Sequence, residues 1–291
     1  MKVSLSITNF SWPAPARDIG EHLAATARAA ESAGLDTVWV ADHLIQSDPA
    51  SHPDEPMLEA YTTLGFLVGQ TRTVRLGTMV TGATFRPPAL LIKAVTTLDV
   101  LSRGRAWLGI GAGYQTSEGS AMGLDSPSVS QRFDVLADTI DIAGRMWAGD
   151  QSPFHGRRHS LDHPIGSPLP VSEPRPRLLI GGTGERRTLR LVAQHADACN
   201  LFDIPDGGAT VRRQLSVLAR HCADVGRPVE DIEKTISTAL APDEPVSRFV
   251  DHCGSLGDIG IDHVVVITRG TPWTDEAIAT LGAAAAQLKA A

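Results

Sequence analysis

Cysteine is scarce: Cys199, Cys222 and Cys253 stand far apart, odd in number and without C-x-x-C spacing. That excludes a disulfide framework and offers no zinc or redox motif. Long apolar runs are missing as well. None approaches the ~18 residues of a membrane span, so a soluble chain with no membrane partner is expected. Positive charge is not in excess either. A formal charge of −7 argues against a nucleic-acid partner, whose binding face would be basic. The opening "MKVSLSITNFSWP" alternates apolar and polar residues and lacks the apolar core of a secretory signal, so the cytoplasm is the expected location. No G-x-S-x-G elbow, H-E-x-x-H pair or Walker sequence is present, which weakens hydrolase, metalloprotease and NTPase readings. His43 has no second histidine or cysteine at ligand spacing, so no metal is expected. A dinucleotide fingerprint is also missing. "AWLGIGAGYQTSE" (106–118) places Gly109, Gly111 and Gly113 on alternate positions, but Tyr114 holds the last glycine position that G-x-G-x-x-G requires.

What the chain does contain is alternation. Eight short apolar runs read as strands: "KVSLSI" (2–7), "DTVWV" (36–40), "VRLGTMV" (74–80), "RAWLGI" (105–110), "RLLIG" (177–181), "DACNLF" (197–202), "EKTISTAL" (233–240) and "HVVVIT" (263–268). Most are nearly continuous in apolar character, as strands buried on both faces should be. Amphipathic stretches separate them. In "DIGEHLAATARAAESAG" (18–34), Ile19, Leu23, Ala27 and Ala30 share a face and Gly34 supplies a C-terminal stop. Eight such repeats with no second composition regime predict an α/β fold, a (βα)8 TIM barrel forming one domain over 1–291, with an open doubly wound sheet as the alternative. The spacing breaks once. Residues 150–176 form a proline-rich insertion between helix 4 and strand 5, with "FHGRRHSL" as a small hairpin, and so long a connection is read as a lid.

In a barrel, chemistry gathers where strands end. Asp42 and His43 follow the second strand, suited to orienting a ring or moving a proton. "IGGTGERR" puts Gly181, Gly182, Thr183 and Gly184 before a helix start, with Arg186 one turn inside, which is the composition of a phosphate cradle or of a plain tight turn. Asn200 lies in the sixth strand. The glycines after strand 4, Gly111 and Gly113 among them, either leave room for a flat ring or serve tight packing. From 157 to 190 the chain carries seven arginines against three carboxylates, a local cationic excess.

Together, "NFSWP", "AAESAGLDTVWVADHL", "MLEAYTTLGFLVGQTRTVRLGTMVTGATFRPPALLIKAVTTLDVLSRGRAWLGIGAG" and "LLIGGTGERRTLRLVAQHADACNLF" resemble the luciferase-like monooxygenase superfamily, and within it the bacterial oxidoreductases that use coenzyme F420. The resemblance implies a (βα)8 barrel that transfers a hydride between F420 and a small organic substrate. It implies that Asp42 and His43 face the deazaflavin, with His43 handling a proton. Met79-Val80 matches a non-proline cis peptide under the ring, Thr81 and Thr84 would line that platform, and the 181–184 loop would hold the phosphate. The arginine excess suits a coenzyme with an anionic tail beyond its phosphate. A homodimer is also implied. Relatives usually carry Trp and then Glu-His after the strand 4 glycines, where this chain has Tyr114 and Glu118. In the related sugar-phosphate dehydrogenases a glutamate stands at the position of Tyr114, so Tyr114 and Glu118 become candidate catalytic residues of changed character. Two alternatives stay open: an FMN monooxygenase fed by a partner reductase, and an F420-binding protein without turnover.

Overall fold

The computed structural model describes residues 1–114 and 116–290. Its strands in chain order are β1 (Lys2–Ile7), β2 (Thr37–Val40), β3 (Arg75–Thr78), a two-residue β4 (Thr81–Gly82), β5 (Ala106–Gly111), the hairpin β6 (Phe154–His155) and β7 (Ser160–Leu161), β8 (Arg177–Gly181), β9 (Ala198–Phe202), β10 (Glu233–Ala239) and β11 (His263–Ile267). The helices are α1 (Ile19–Ser32), α2 (Ala60–Gln70), α3 (Pro88–Ser102), α4 (Thr116–Ala121), α5 (Val129–Trp147), α6 (Thr188–His195), α7 (Ala209–Asp224), α8 (Val246–Asp258) and α9 (Asp275–Ala290). All pairings in the large sheet are parallel, and the β3–β5 pair closes it into an eight-stranded ring. The barrel expectation holds and the open sheet is excluded. The expected hairpin within "FHGRRHSL" is present.

The strand residues split by pleat into two cores. Outward-facing Leu5, Ile7, Val38, Val40, Leu108, Ile180 and Ile236 meet the helices in one continuous apolar layer, each fully buried and contributing about 1.5–3 kcal/mol. Inward-facing Trp39, Trp107, Leu179, Ala198 and Val265 fill the barrel, with Met79 and Val80 against them. Two indoles in one barrel need space, and the neighbouring strand provides it at Gly77, where a Cβ would sit 2.7 Å from Trp107 Cβ and 2.8 Å from the Trp39 ring.

The third apolar run, expected over 74–80, stops early. β3 ends at Thr78, the Met79-Val80 peptide is cis, and the chain resumes at β4. This bulge explains the strand 4 glycines. A Cβ on Gly109 would lie 1.9 Å from the Thr78 carbonyl oxygen, and one on Gly181 would lie 2.9 Å from the Val80 side chain. At Gly109 and Gly181 the space is therefore taken by the bulge itself, the packing alternative, whereas Gly111 and Gly113 line the cleft described below. Gly109→Ala is expected to cost about 3 kcal/mol or more, because backbone cannot yield as a side chain can. A urea midpoint unchanged from the parent would contradict this packing.

Residues 150–176 leave α5 at its C-terminal end, the barrel face opposite the strand C-termini. The Asp138 carboxylate on α5 accepts the amides of Arg157, Arg158 and His159 at 2.7–3.0 Å, and Asp99 on α3 accepts those of Val171 and Ser172 at 2.8 and 2.9 Å. The segment is strapped to α3 and α5, and none of its residues lines the cleft described next. The expectation that it covers the site is corrected on that geometry. No helix among the described residues is long and apolar enough to cross a membrane.

Candidate active site

A cleft of about 520 Å³ opens where the strands end, between the loops after β2, β4, β5 and β8. Asp42 and His43 enter it from β2, Met79, Val80 and Thr81 from the bulge, and Gly111, Gly113 and Tyr114 from the end of β5. Gly181 to Gly184 enter from β8, and Asn200 from β9.

His43 is held at one nitrogen. Its Nδ1 lies 2.7 Å from Glu118 Oε2, while Glu118 Oε1 accepts the Leu44 amide at 2.7 Å. Glu118 is buried and does not line the cleft, so its link to the cleft runs through His43. A carboxylate at Nδ1 takes the ring N–H there, which leaves Nε2 as the proton acceptor. The Tyr114 ring stands edge-on to His43, with centroids 6.1 Å apart, and is largely exposed.

Asp42 is also held, but by a residue that sequence reasoning missed. Arg86 meets both its carboxylate oxygens, at 2.6 and 2.9 Å, and also bonds Glu59. The guanidinium lies 4.7 Å over the Tyr61 ring. Burial alone would lower the Arg86 pKa, yet hydrogen bonds and attraction from Asp42, with Glu59 added, raise it above its ordinary value. Both Asp42 oxygens being engaged, the residue is an anchored anion and not a base, which corrects its expected catalytic role. The network continues beneath the bulge. Tyr61 Oη is 2.8 Å from Thr81 Oγ1, which donates to Thr78 Oγ1 at 3.0 Å, and Thr78 donates to the Gly109 carbonyl at 2.8 Å. Burial, then the Asp42 charge, pushes the Tyr61 phenol well above its usual range, so it stays a neutral hydrogen-bonding group.

The loop after β8 has the features of an anion cradle. Gly182 has φ +122°, a conformation open to glycine. A Cβ on Gly184 would press to 2.8 Å from Thr188 Oγ1, the first residue of α6. Among the described residues, nothing accepts from the amides of Thr183, Gly184 and Glu185, which lie where a helix N-terminus favours negative charge. Asn200 is braced below, donating to Ser237 Oγ at 2.9 Å and accepting from Thr235 Oγ1 at 2.8 Å.

Two expected residues fall elsewhere. Arg186 is exposed and faces an outer groove between α5 and α6 with Arg187 and Arg190, since the turn rotates it away from the loop interior. Thr84 lines a small neighbouring pocket beside Gly113 and Tyr114 instead of the platform. Phe85, Phe133, Phe202 and Ser237 were missed as lining residues. Ser237 alternates with Thr235 on the inward face of β10, a period-2 signal present in the sequence, but Phe133 comes from a helix start that no strand-end rule reaches.

Residues 1–252 match the family described as luciferase-like monooxygenase. The chain belongs to that family. Among its curated relatives, the F420-dependent glucose-6-phosphate dehydrogenase of Amycolatopsis mediterranei is 33% identical over 77% of this chain and 66% of that protein. The enzyme of the same name from Kineococcus radiotolerans is 36% identical over 77% of this chain and 64% of that protein. This chain thus spans slightly less than two thirds of their length. Similar solved structures include an F420-dependent secondary alcohol dehydrogenase in complex with an F420-acetone adduct, with TM-score 0.82, 17% identity and coverage of 97% of this chain and 98% of that one. Another is the coenzyme F420-dependent tetrahydromethanopterin reductase of Methanopyrus kandleri, with TM-score 0.79, 14% identity and 97% of both chains covered. These structures share the barrel fold with this chain.

Proposed function

We propose that the protein is an F420-dependent oxidoreductase. The observation that carries the reading is the juxtaposition, in one cleft, of the amide cradle at Thr183 to Glu185 with Met79, Val80 and His43. A cofactor with a phosphate at one end and a flat ring at the other fits both, and relatives at this identity are named for F420. When bound, the deazaflavin supplies a two-electron carrier that takes or gives a hydride. The protein's own residues do the rest. The 181–188 loop would hold the phosphate through backbone amides and the Thr183 and Thr188 hydroxyls, and Met79 and Val80 would contact the ring. His43 Nε2 takes or returns the proton of a substrate oxygen, and Glu118 fixes the imidazole for that task.

Phe133 lines both the cleft and the outer groove that holds Arg186, Arg187 and Arg190. An anionic tail leaving the phosphate would pass that way, which favours F420 over FMN. Side-by-side fluorescence titrations are expected to give a Kd for F420 in the micromolar range or tighter, and weaker binding of FMN. Preferential FMN binding, with substrate-dependent oxygen consumption, would instead support a monooxygenase paired with a reductase. A homodimer is part of the same proposal, and light scattering reads it directly.

Glu118→Gln is expected to lower kcat about 10- to 100-fold while F420 affinity stays within about twofold, because the amide cannot hold the imidazole as a carboxylate does. Equal losses in affinity and kcat would assign Glu118 to general folding of the loop.

A further inference from the structure

The proline-rich insertion and the arginine excess of 157–190 meet in one place that the cleft chemistry does not use. The β6–β7 hairpin lies against α5 and, with the start of α6, walls an outer groove of about 820 Å³. Two contacts hold the hairpin there. Asp138 accepts the amides of Arg157, Arg158 and His159, and the Arg157 guanidinium bonds Asp134 at 3.0 Å. Gly156 is required where they touch, since a Cβ on it would collide with the Asp138 carboxylate.

The groove is charged unevenly along its length. Asp134 is answered by Arg157 and Asp138 by the hairpin amides, so neither carboxylate opposes an incoming anion. Arg187 lies 5.4 Å over the Phe133 ring and bonds the Ser130 hydroxyl, and its charge is left over. Arg186 and Arg190 are exposed, with no carboxylate partner among the described residues. Three guanidinium charges are thus free to meet anions. About two turns further along α5 stands Asp141, beside His195 in the last turn of α6. No lysine or arginine pairs with Asp141 among the described residues, and a free anion there sets a far end to the cationic stretch.

A short chain of carboxylates fits this pattern, and continuity shows where it is attached. Phe133 lines both the cleft and the groove, and Arg186 follows the Thr183 to Glu185 amides directly in the chain. Resting on the F420 reading above, we infer that the insertion hairpin, α5 and the start of α6 form the seat of the coenzyme's glutamate tail, with Arg186 and Arg190 as the residues that select for it. The insertion is a wall for the tail and not a cover for the cleft. An arginine fork meets one carboxylate through two parallel N–H groups, so the three arginines hold about two or three glutamates before Asp141 opposes the next.

The test is fluorescence titration with three forms of the coenzyme, carrying no glutamate, about three and about six. At low ionic strength the form with three is expected to bind about tenfold more tightly than the tail-free form, and the form with six no more tightly than the form with three. Near 0.5 M NaCl the preference should fall to within about twofold, because exposed pairs are screened. Arg186→Gln combined with Arg190→Gln is expected to remove most of the preference while the tail-free form binds as it does to the parent. Arg157→Gln bares the Asp134 charge and should weaken the tailed forms about threefold. Equal affinity for all three forms, or a double variant that keeps the tenfold preference, would overturn the inference. Affinity that still rises from three glutamates to six would overturn the end placed at Asp141. An unchanged preference in Arg157→Gln would overturn the part given to the hairpin. A protein that binds none of the forms would overturn the functional reading beneath, which the tail-free form tests by itself.

Discussion

His43→Ala is expected to lower kcat by about 10²- to 10⁴-fold, the usual contribution of a positioned general acid or base, while F420 Kd changes by no more than a few-fold. The reason is geometric. His43 lines the cleft with one ring nitrogen free, the other being fixed 2.7 Å from Glu118. Asp42 cannot take over, because Arg86 occupies both its oxygens. Steady-state kinetics beside a coenzyme titration separate the two effects. A variant that loses F420 affinity in proportion to kcat would show that His43 serves binding and not proton transfer.

Arg86→Ala carries the second large effect, on stability. Asp42 has a side-chain exposure of 0%, so removing its partner strands a buried carboxylate, at a cost of about 3–5 kcal/mol. The double variant Asp42→Asn with Arg86→Met removes both charges and should recover much of that loss. Urea midpoints of the parent, the single and the double variant measure it. A single variant within about 1 kcal/mol of the parent would mean that water reaches Asp42.

The barrel was legible because its signal is local. Buried strands such as "DTVWV" and "HVVVIT" carry their apolar runs in the chain itself, and Gly34 marks a helix end at φ +71°. Strand-end placement then reached Asp42, His43, Tyr114 and the 181–184 loop. What stayed hidden depends on tertiary pairing. Arg86 stood in view in "TGATFRPP", but nothing local says that its fork closes on Asp42, 44 residues away in sequence. The Gly109 requirement comes from a carbonyl on another strand. The proline-rich insertion was read by length and composition as a lid. It leaves α5 at the far end and runs back along that helix, so its hairpin lines the outer groove beside Phe133 and none of its residues lines the cleft. Arg186 was placed by its nearness to the glycines, and one turn of backbone rotation carries it outside.

The central claim is that the loop from Gly181 to Thr188 grips a phosphate while the ring lies over the Met79-Val80 bulge. The most direct measurement compares Kd values for F420 and for its phosphate-free deazaflavin riboside under one set of conditions. Charge-assisted hydrogen bonds from several amides predict F420 tighter by about 100-fold or more, with the difference shrinking as salt rises. Equal affinity for the two compounds would contradict the account.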